Sequence, residues 1–101
     1  MKAERQRLDK WLWFARFAKT RSLAARLVAD GHVRVNGKRA EAAAKGLLVG
    51  DVLTVAAAHG TALVRVADLG ERRGPAPEAR LLYVDLSAGP PDAGEPGEGE
   101  A

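Results

Sequence analysis

The chain contains no cysteine, one methionine and only two histidines. Without cysteine there is no disulfide, no thiolate metal site and no cysteine nucleophile. His32 and His59 have no clustered carboxylates near them in sequence, so neither a metal site nor a cofactor is expected. No apolar run reaches the roughly 18 residues of a membrane span, and the opening MKAERQR leads into an amphipathic segment rather than a secretory signal. A cytoplasmic protein with no membrane partner is the expectation. Aromatic residues are scarce too: four of the five lie within WLWFARF, Trp11 to Phe17. At 101 residues the chain makes one domain with a thin core, so function must sit on its surface.

Charge is unevenly placed. Residues 1–45 carry twelve Lys or Arg against four Asp or Glu, +8, whereas residues 46–101 carry four against nine, −5. A basic module of this size suits a polyanionic partner, because each neutralised phosphate releases counterions and makes binding salt-dependent. The competing reading is solubility, but these charges fall beside turns and helix ends, not evenly along the chain.

On a wheel of about 100° per residue, Leu8, Trp11, Leu12, Ala15 and Ala18 form one apolar stripe with Phe14 at its margin, predicting a core-facing helix that stops near Arg16. Phe17 then belongs to the connection, as a wedge between two helices. In KTRSLAARLVADG, Thr20 is a plausible N-cap, Ala24, Leu27 and Val28 form an apolar stripe, and Gly31 is placed to end the helix left-handed. HVRVNGKRA reads as a hairpin through Asn36-Gly37 with a basic tip. GDVLTVAA and TALVRVADL read as two further antiparallel strands, and GPAPEARLLYVDL as a short closing helix that begins near Pro75 or Pro77 and packs through Leu81, Leu82 and Tyr83. Residues 87–101 hold seven Gly or Pro, four acids and no large apolar side chain, the composition of a disordered tail.

The run RLDKWLWFARFAKTRSLAARLVADGHVRVNGKRA followed by VGDVLTV resembles the alpha-L RNA-binding motif first named for ribosomal small-subunit protein four, the S-four domain. Helix, Thr-Arg-Ser turn, helix ending in Gly, Asn-Gly hairpin and Gly-Asp before a strand occur in that order. LDKWLWFARFAKTR and ERRGPAPEARLLY are similar to the small ribosome-associated heat-shock protein family of bacteria, out to about Asp85. The resemblance implies an α+β fold, with two short N-terminal helices packed on a small antiparallel sheet and a short C-terminal helix. It also implies a domain over 1–86 with its core motif at 7–57. Implied function is non-enzymatic binding of ribosomal RNA on the large subunit, in recycling or rescue of stalled subunits that still carry peptidyl-tRNA. Where those relatives have a basic C-terminal extension, this chain is acidic.

Carried over by position, the implied RNA surface comprises Arg7, Lys10 and Arg16 from the first helix, Lys19, Thr20, Arg21 and Ser22 from the turn, and Arg26 from the second helix. The hairpin adds Arg34, Asn36, Lys38 and Arg39. Arginine offers a planar fork to phosphate and lysine a mobile point charge. Several have structural alternatives: Arg7 can pair with Asp9, Thr20 can cap, Asn36 can serve the turn, and His32 can simply start a strand. Trp13 can stack on a base, worth about 1–3 kcal/mol, or be covered by the sheet or closing helix.

Two other functions compete. S-four domains are similar to modules appended to RNA pseudouridine synthases and tRNA synthetases. Here, however, the residues after the motif hold no nucleophile and base pair, Gly-rich phosphate loop or paired carboxylates, so no catalysis is expected. A helix-turn-helix DNA regulator would also join two helices with basic flanks, but a basic hairpin directly after the second helix fits the S-four pattern. A general RNA- or tRNA-binding module without a ribosome role remains open, and a monomer is expected.

Overall fold

The computed structural model of the chain describes residues 4–57 and 60–86. The predicted acidic tail and the turn at His59 lie outside them. In chain order the elements are β1 (Gln6–Arg7), α1 (Leu8–Phe14), α2 (Arg21–Ala29), β2 (Val33–Val35), β3 (Lys38–Arg39) and β4 (Gly46–Leu47). After these come β5 (Val52–Ala57), β6 (Gly60–Val66), α3 (Ala76–Ala79), a 3₁₀ turn (Arg80–Leu82) and β7 (Tyr83–Asp85). The architecture is α+β, as predicted. Five strands form an antiparallel sheet in the order β3-β2-β5-β6-β7, and β1 pairs with β4 separately.

The apolar residues of α1 and of the turn that follows it decide their packing. Leu8, Trp11, Leu12, Ala15 and Ala18 are all buried, and so is Phe14. The first five meet Ala24 and Val28 of α2 and the inward residues of the sheet, Val33, Val35, Leu53, Val55, Val64 and Val66, in one core, whereas Phe14 lies outside it against Gly70 and Trp13. Period-two alternation on the strands places these valines and leucines on one face and leaves the opposite face to solvent. Burying each such side chain is worth about 1.5–3 kcal/mol.

Both helices finish with the same pair of backbone bonds. In α2, Gly31 N–H donates to Val28 O and His32 N–H to Leu27 O, with Gly31 at φ 82°. In α1, Arg16 N–H donates to Trp13 O and Phe17 N–H to Leu12 O, with Arg16 at φ 68°. This six-to-one and five-to-two pattern normally uses glycine at its left-handed position. The first helix therefore ends at Phe14, two residues before Arg16. The chain reverses at once, and Phe17 wedges between Trp11 and Tyr83, with ring centroids 6.1 and 5.1 Å away.

The expected short closing helix is present after Pro75, but Leu81 does not pack and a strand follows it. The closing helix has four residues and one 3₁₀ turn, Leu81 is 73% exposed, and Tyr83 begins a strand. β6 would otherwise end the sheet with an open ladder, and β7 pairs with it from Val66↔Tyr83 to Val64↔Asp85. Leu82 and Tyr83 do pack on the core.

Residues 68–74 run along α1 as a strap. The Gln6 side-chain amide brackets Gly70, donating to its O at 2.7 Å and accepting from its N–H at 3.0 Å. Trp11 Nε1 donates to Asp68 O, Arg16 Nε to Gly74 O and Arg73 Nε to Trp13 O. A Cβ on Gly70 would lie 2.4 Å from the Phe14 ring, so only glycine allows so close an approach.

Candidate nucleic-acid interface

The N-termini of α1 and α2 meet at one buried carboxylate. Asp9 sits in the first turn of α1, with its side chain 5% exposed. It accepts from Arg7 Nε at 3.1 Å and Arg7 Nη2 at 3.2 Å, and from the Lys10 N–H at 2.7 Å. Arg21 Nε of α2 lies 3.7 Å from its other oxygen. Burial disfavours the charged form of Asp9, but the Arg7 hydrogen bonds and charge, the Lys10 amide and Arg21 together outweigh it. They hold the carboxyl below the usual carboxylate range. Arg7 is correspondingly raised, first by its hydrogen bond to Asp9 and then by its Coulombic attraction. One negative charge thus orients two arginines while leaving a net positive charge. Their side chains stay 51% and 43% exposed, available to a further anion.

The rest of the predicted ridge divides. Lys19, Ser22 and Arg26 are exposed on the turn and α2. Thr20 accepts the Leu23 N–H at 3.1 Å, the side-chain cap expected of it. Arg16 lies beyond α1, contrary to its placement on that helix, and its Nε is drawn 2.9 Å from Gly74 O. Lys10 is half-buried with its Nζ over the Phe14 ring at 5.6 Å. Trp13 is half-buried against the core and stacks on Phe14 at 5.4 Å. It therefore belongs mainly to the scaffold.

The hairpin arranges its charges differently. Asn36 and Gly37 both have positive φ, 53° and 85°, as a two-residue primed turn requires. Asn36 also fixes the neighbouring strand, its Oδ1 accepting from Val52 N–H and its Nδ2 donating to Asp51. The register then sets Arg34 directly opposite Arg39. Like charges in that position repel. Arg39 reaches back to the end of α2, where a Cβ on Gly31 would lie 2.9 Å from its Nε. Gly31 therefore both ends the helix and makes room for a guanidinium near the negative end of its dipole.

Two features escaped sequence reasoning. Asp9 was paired there with one nearby arginine only; its approach to Arg21 depends on the helix crossing. Lys45 is exposed in a groove of about 520 Å³ that it lines with Lys38, Arg39, Asn36 and one carboxylate, Glu41. Its backbone O accepts the first amide of α1, from Leu8, so the loop carrying it is pinned. Among the described residues, no group of three His, Cys, Asp or Glu could hold a metal ion, and no helix is long and apolar enough to cross a membrane.

This arrangement, paired helices followed by a basic hairpin, is the alpha-L fold, and the family model of the S4 domain matches residues 6–53. Heat shock protein 15 of Vibrio cholerae, whose solved structure is described as trimeric, superposes with a TM-score of 0.77 at 41% identity, covering 84% of this chain and 85% of that one. Heat shock protein 15 of Escherichia coli K12 is 44% identical over 81 residues, 80% of this chain and 60% of that protein. The Haemophilus influenzae homolog is 41% identical over 82 residues, 81% and 62% respectively. The chain belongs to the heat shock protein 15 family of S4-domain proteins. It spans about three fifths of the length of the curated relatives it matches. Small ribosomal subunit protein uS4 of Xanthobacter autotrophicus is also similar, 36% identical over 86 residues but with only 39% of its length covered.

Proposed function

We propose that the chain binds structured RNA, with shape and phosphate contacts dominating over base readout, and that it does so without catalysis. The observation that carries this reading is the cross-strand pair Arg34↔Arg39. A fold that pairs two arginine positions across the hairpin beside Lys38, with no carboxylate between them in the register, concentrates positive charge that a bound polyanion would neutralise. The predicted surface then consists of Arg7, Lys10, Lys19, Arg21, Ser22, Arg26, Arg34, Lys38 and Arg39. Thr20 and Asn36 position it, and Arg16 is shared with the strap.

The RNA is ribosomal RNA of the large subunit, and the role is recycling or rescue of stalled subunits in the cytoplasm, with residues 1–86 as the binding unit and 87–101 as an appended tail. Support comes from the membership of the heat shock protein 15 family and from the charge division of the chain. The test is fluorescence anisotropy with large-subunit rRNA fragments, small-subunit fragments and duplex DNA across a salt series, beside ribosome profiles on gradients. Large-subunit preference with a steep salt slope is expected. Salt-independent binding, or equal affinity for duplex DNA, would overturn the reading. We take the chain to act as a monomer, and sedimentation equilibrium showing a trimeric mass would replace that part.

A further inference from the structure

We infer that the RNA path continues from the hairpin across the solvent-facing side of the five-stranded sheet, with Arg65 as a phosphate contact there. This rests on the RNA-binding reading above and adds a surface that the paired helices and hairpin do not include.

The register carries the inference. Arg39 pairs with Arg34, Arg34 with Thr54 and Thr54 with Leu63, so these four form one row across β3, β2, β5 and β6. Arg65 lies two residues further along β6, on the same face as Leu63 and opposite the buried Val64 and Val66. With strands about 4.8 Å apart and about 3.4 Å per residue, Arg34 and Arg65 stand about 12 Å apart at their Cα atoms. Arg39, Arg34 and Arg65 are all exposed.

Among the described strand residues this face bears no carboxylate. Asp85 is opposite Val64 and so belongs by register to the other side. Asp51 precedes the outward Val52, and its carboxylate is engaged by Asn36 and by the Leu48 N–H. Arg65 is also set apart from the other arginines of the acidic half. Arg72 is paired with Glu78, Arg73 is bonded to Trp13 O, and Arg80 lies in the 3₁₀ turn. The cross-strand neighbours of Arg65 are Val52 and Val84. An opposite charge there would have stabilised the sheet, and a β-branched residue would suit the strand better than arginine. The fold has no need of this charge. A phosphate backbone laid across the row would use it.

The experiment compares the full chain with R65Q, L63K and R21Q, measuring anisotropy on a large-subunit rRNA fragment across a salt series, with sedimentation and thermal melts alongside. R65Q should weaken binding about five- to eightfold at 0.1 M salt and reduce the salt slope by about 0.7–0.9. L63K adds a cation to the same row and should tighten binding by a similar factor with a steeper slope; this gain cannot come from misfolding. If both variants keep wild-type affinity and slope while R21Q weakens binding, the sheet face is not on the RNA path and the RNA-binding reading stands. If the wild-type chain shows no salt-dependent RNA binding, the reading and the inference fail together. A change in sedimenting mass in L63K with unchanged RNA affinity would assign the face to contacts between copies and overturn the inference.

Discussion

The two N-terminal helices are nearly equal in length and share the same terminal hydrogen-bond pattern, yet they are closed by different means. α2 is closed by its own sequence: Thr20 caps its start and Gly31 its end. α1 has no side-chain cap. Its first amides donate to Lys45 O and Ala43 O, 37 and 34 residues away, and its left-handed terminal residue is an arginine tied to Gly74. Even the charge at the start of α2 is managed from α1. Arg21 stands unfavourably in the first turn, and Asp9 of the other helix supplies the carboxylate that α2 lacks. Local rules thus specify α2, while α1 depends on partners delivered by the rest of the fold.

Substitutions at these ends test that contrast. The largest effect is expected for Gly31→Ala, about 2 kcal/mol of stability by urea titration, because a side chain there adopts a left-handed conformation and meets Arg39. RNA affinity should fall with it as Arg39 is displaced. Asp9→Asn should cost about 1.5 kcal/mol at neutral pH through weakened charge-assisted hydrogen bonds. It should also flatten the acid limb of stability. Because the folded carboxyl titrates below its ordinary value, its contribution is full above about pH 4 and is lost as pH falls through the depressed folded value. Melts at neutral and acidic pH should therefore converge for the variant more than for the parent. At Arg16 the telling comparison is between two variants: Arg16→Gly should be about 1 kcal/mol more stable than Arg16→Ala, since both lose the bond to Gly74 but only alanine keeps the left-handed penalty. Equal stabilities would show that the backbone there is unstrained. Thr20→Ala is expected to cost the least, about 0.5–1 kcal/mol, since its cap bond is exposed to solvent.

The same contrast explains what could be read from the residues alone. The stripe from Leu8 to Leu12, the Thr20 cap, the Gly31 stop and the Asn36-Gly37 turn are local patterns with local causes, and each holds in the structure; Ala15 and Ala18 are buried as well, but beyond the end of the helix. The stop expected near Arg16 falls at Phe14, with Arg16 itself left-handed; glycine ordinarily marks such a residue, so nothing at Arg16 signalled the conformation. β7 was missed for a related reason: RLLYVDL is too short for its periodicity to separate helix from strand, and the open edge of β6 decided. Among the site residues, helix spacing and turn chemistry located Lys19, Arg21, Ser22 and Arg26 on exposed surface. The facing of Arg34 and Arg39 needed the strand register, and the sharing of Asp9 between Arg7 and Arg21 needed the helix crossing.

The strap has a consequence for how the chain could be divided. Five hydrogen bonds join residues 6–16 to residues 68–74, each spanning at least 57 positions, and Phe14 rests on Gly70. The stretch that matches the S4 family model ends at 53, well before the strap. A truncation at that point would strip α1 of these partners and remove the buried Val64 and Val66 from the core beneath it. The recognisable motif is thus shorter than the stretch of chain that shares one core. Most of the proposed binding residues lie in the basic half, and the helix that supports them is held by hydrogen bonds to the acidic half.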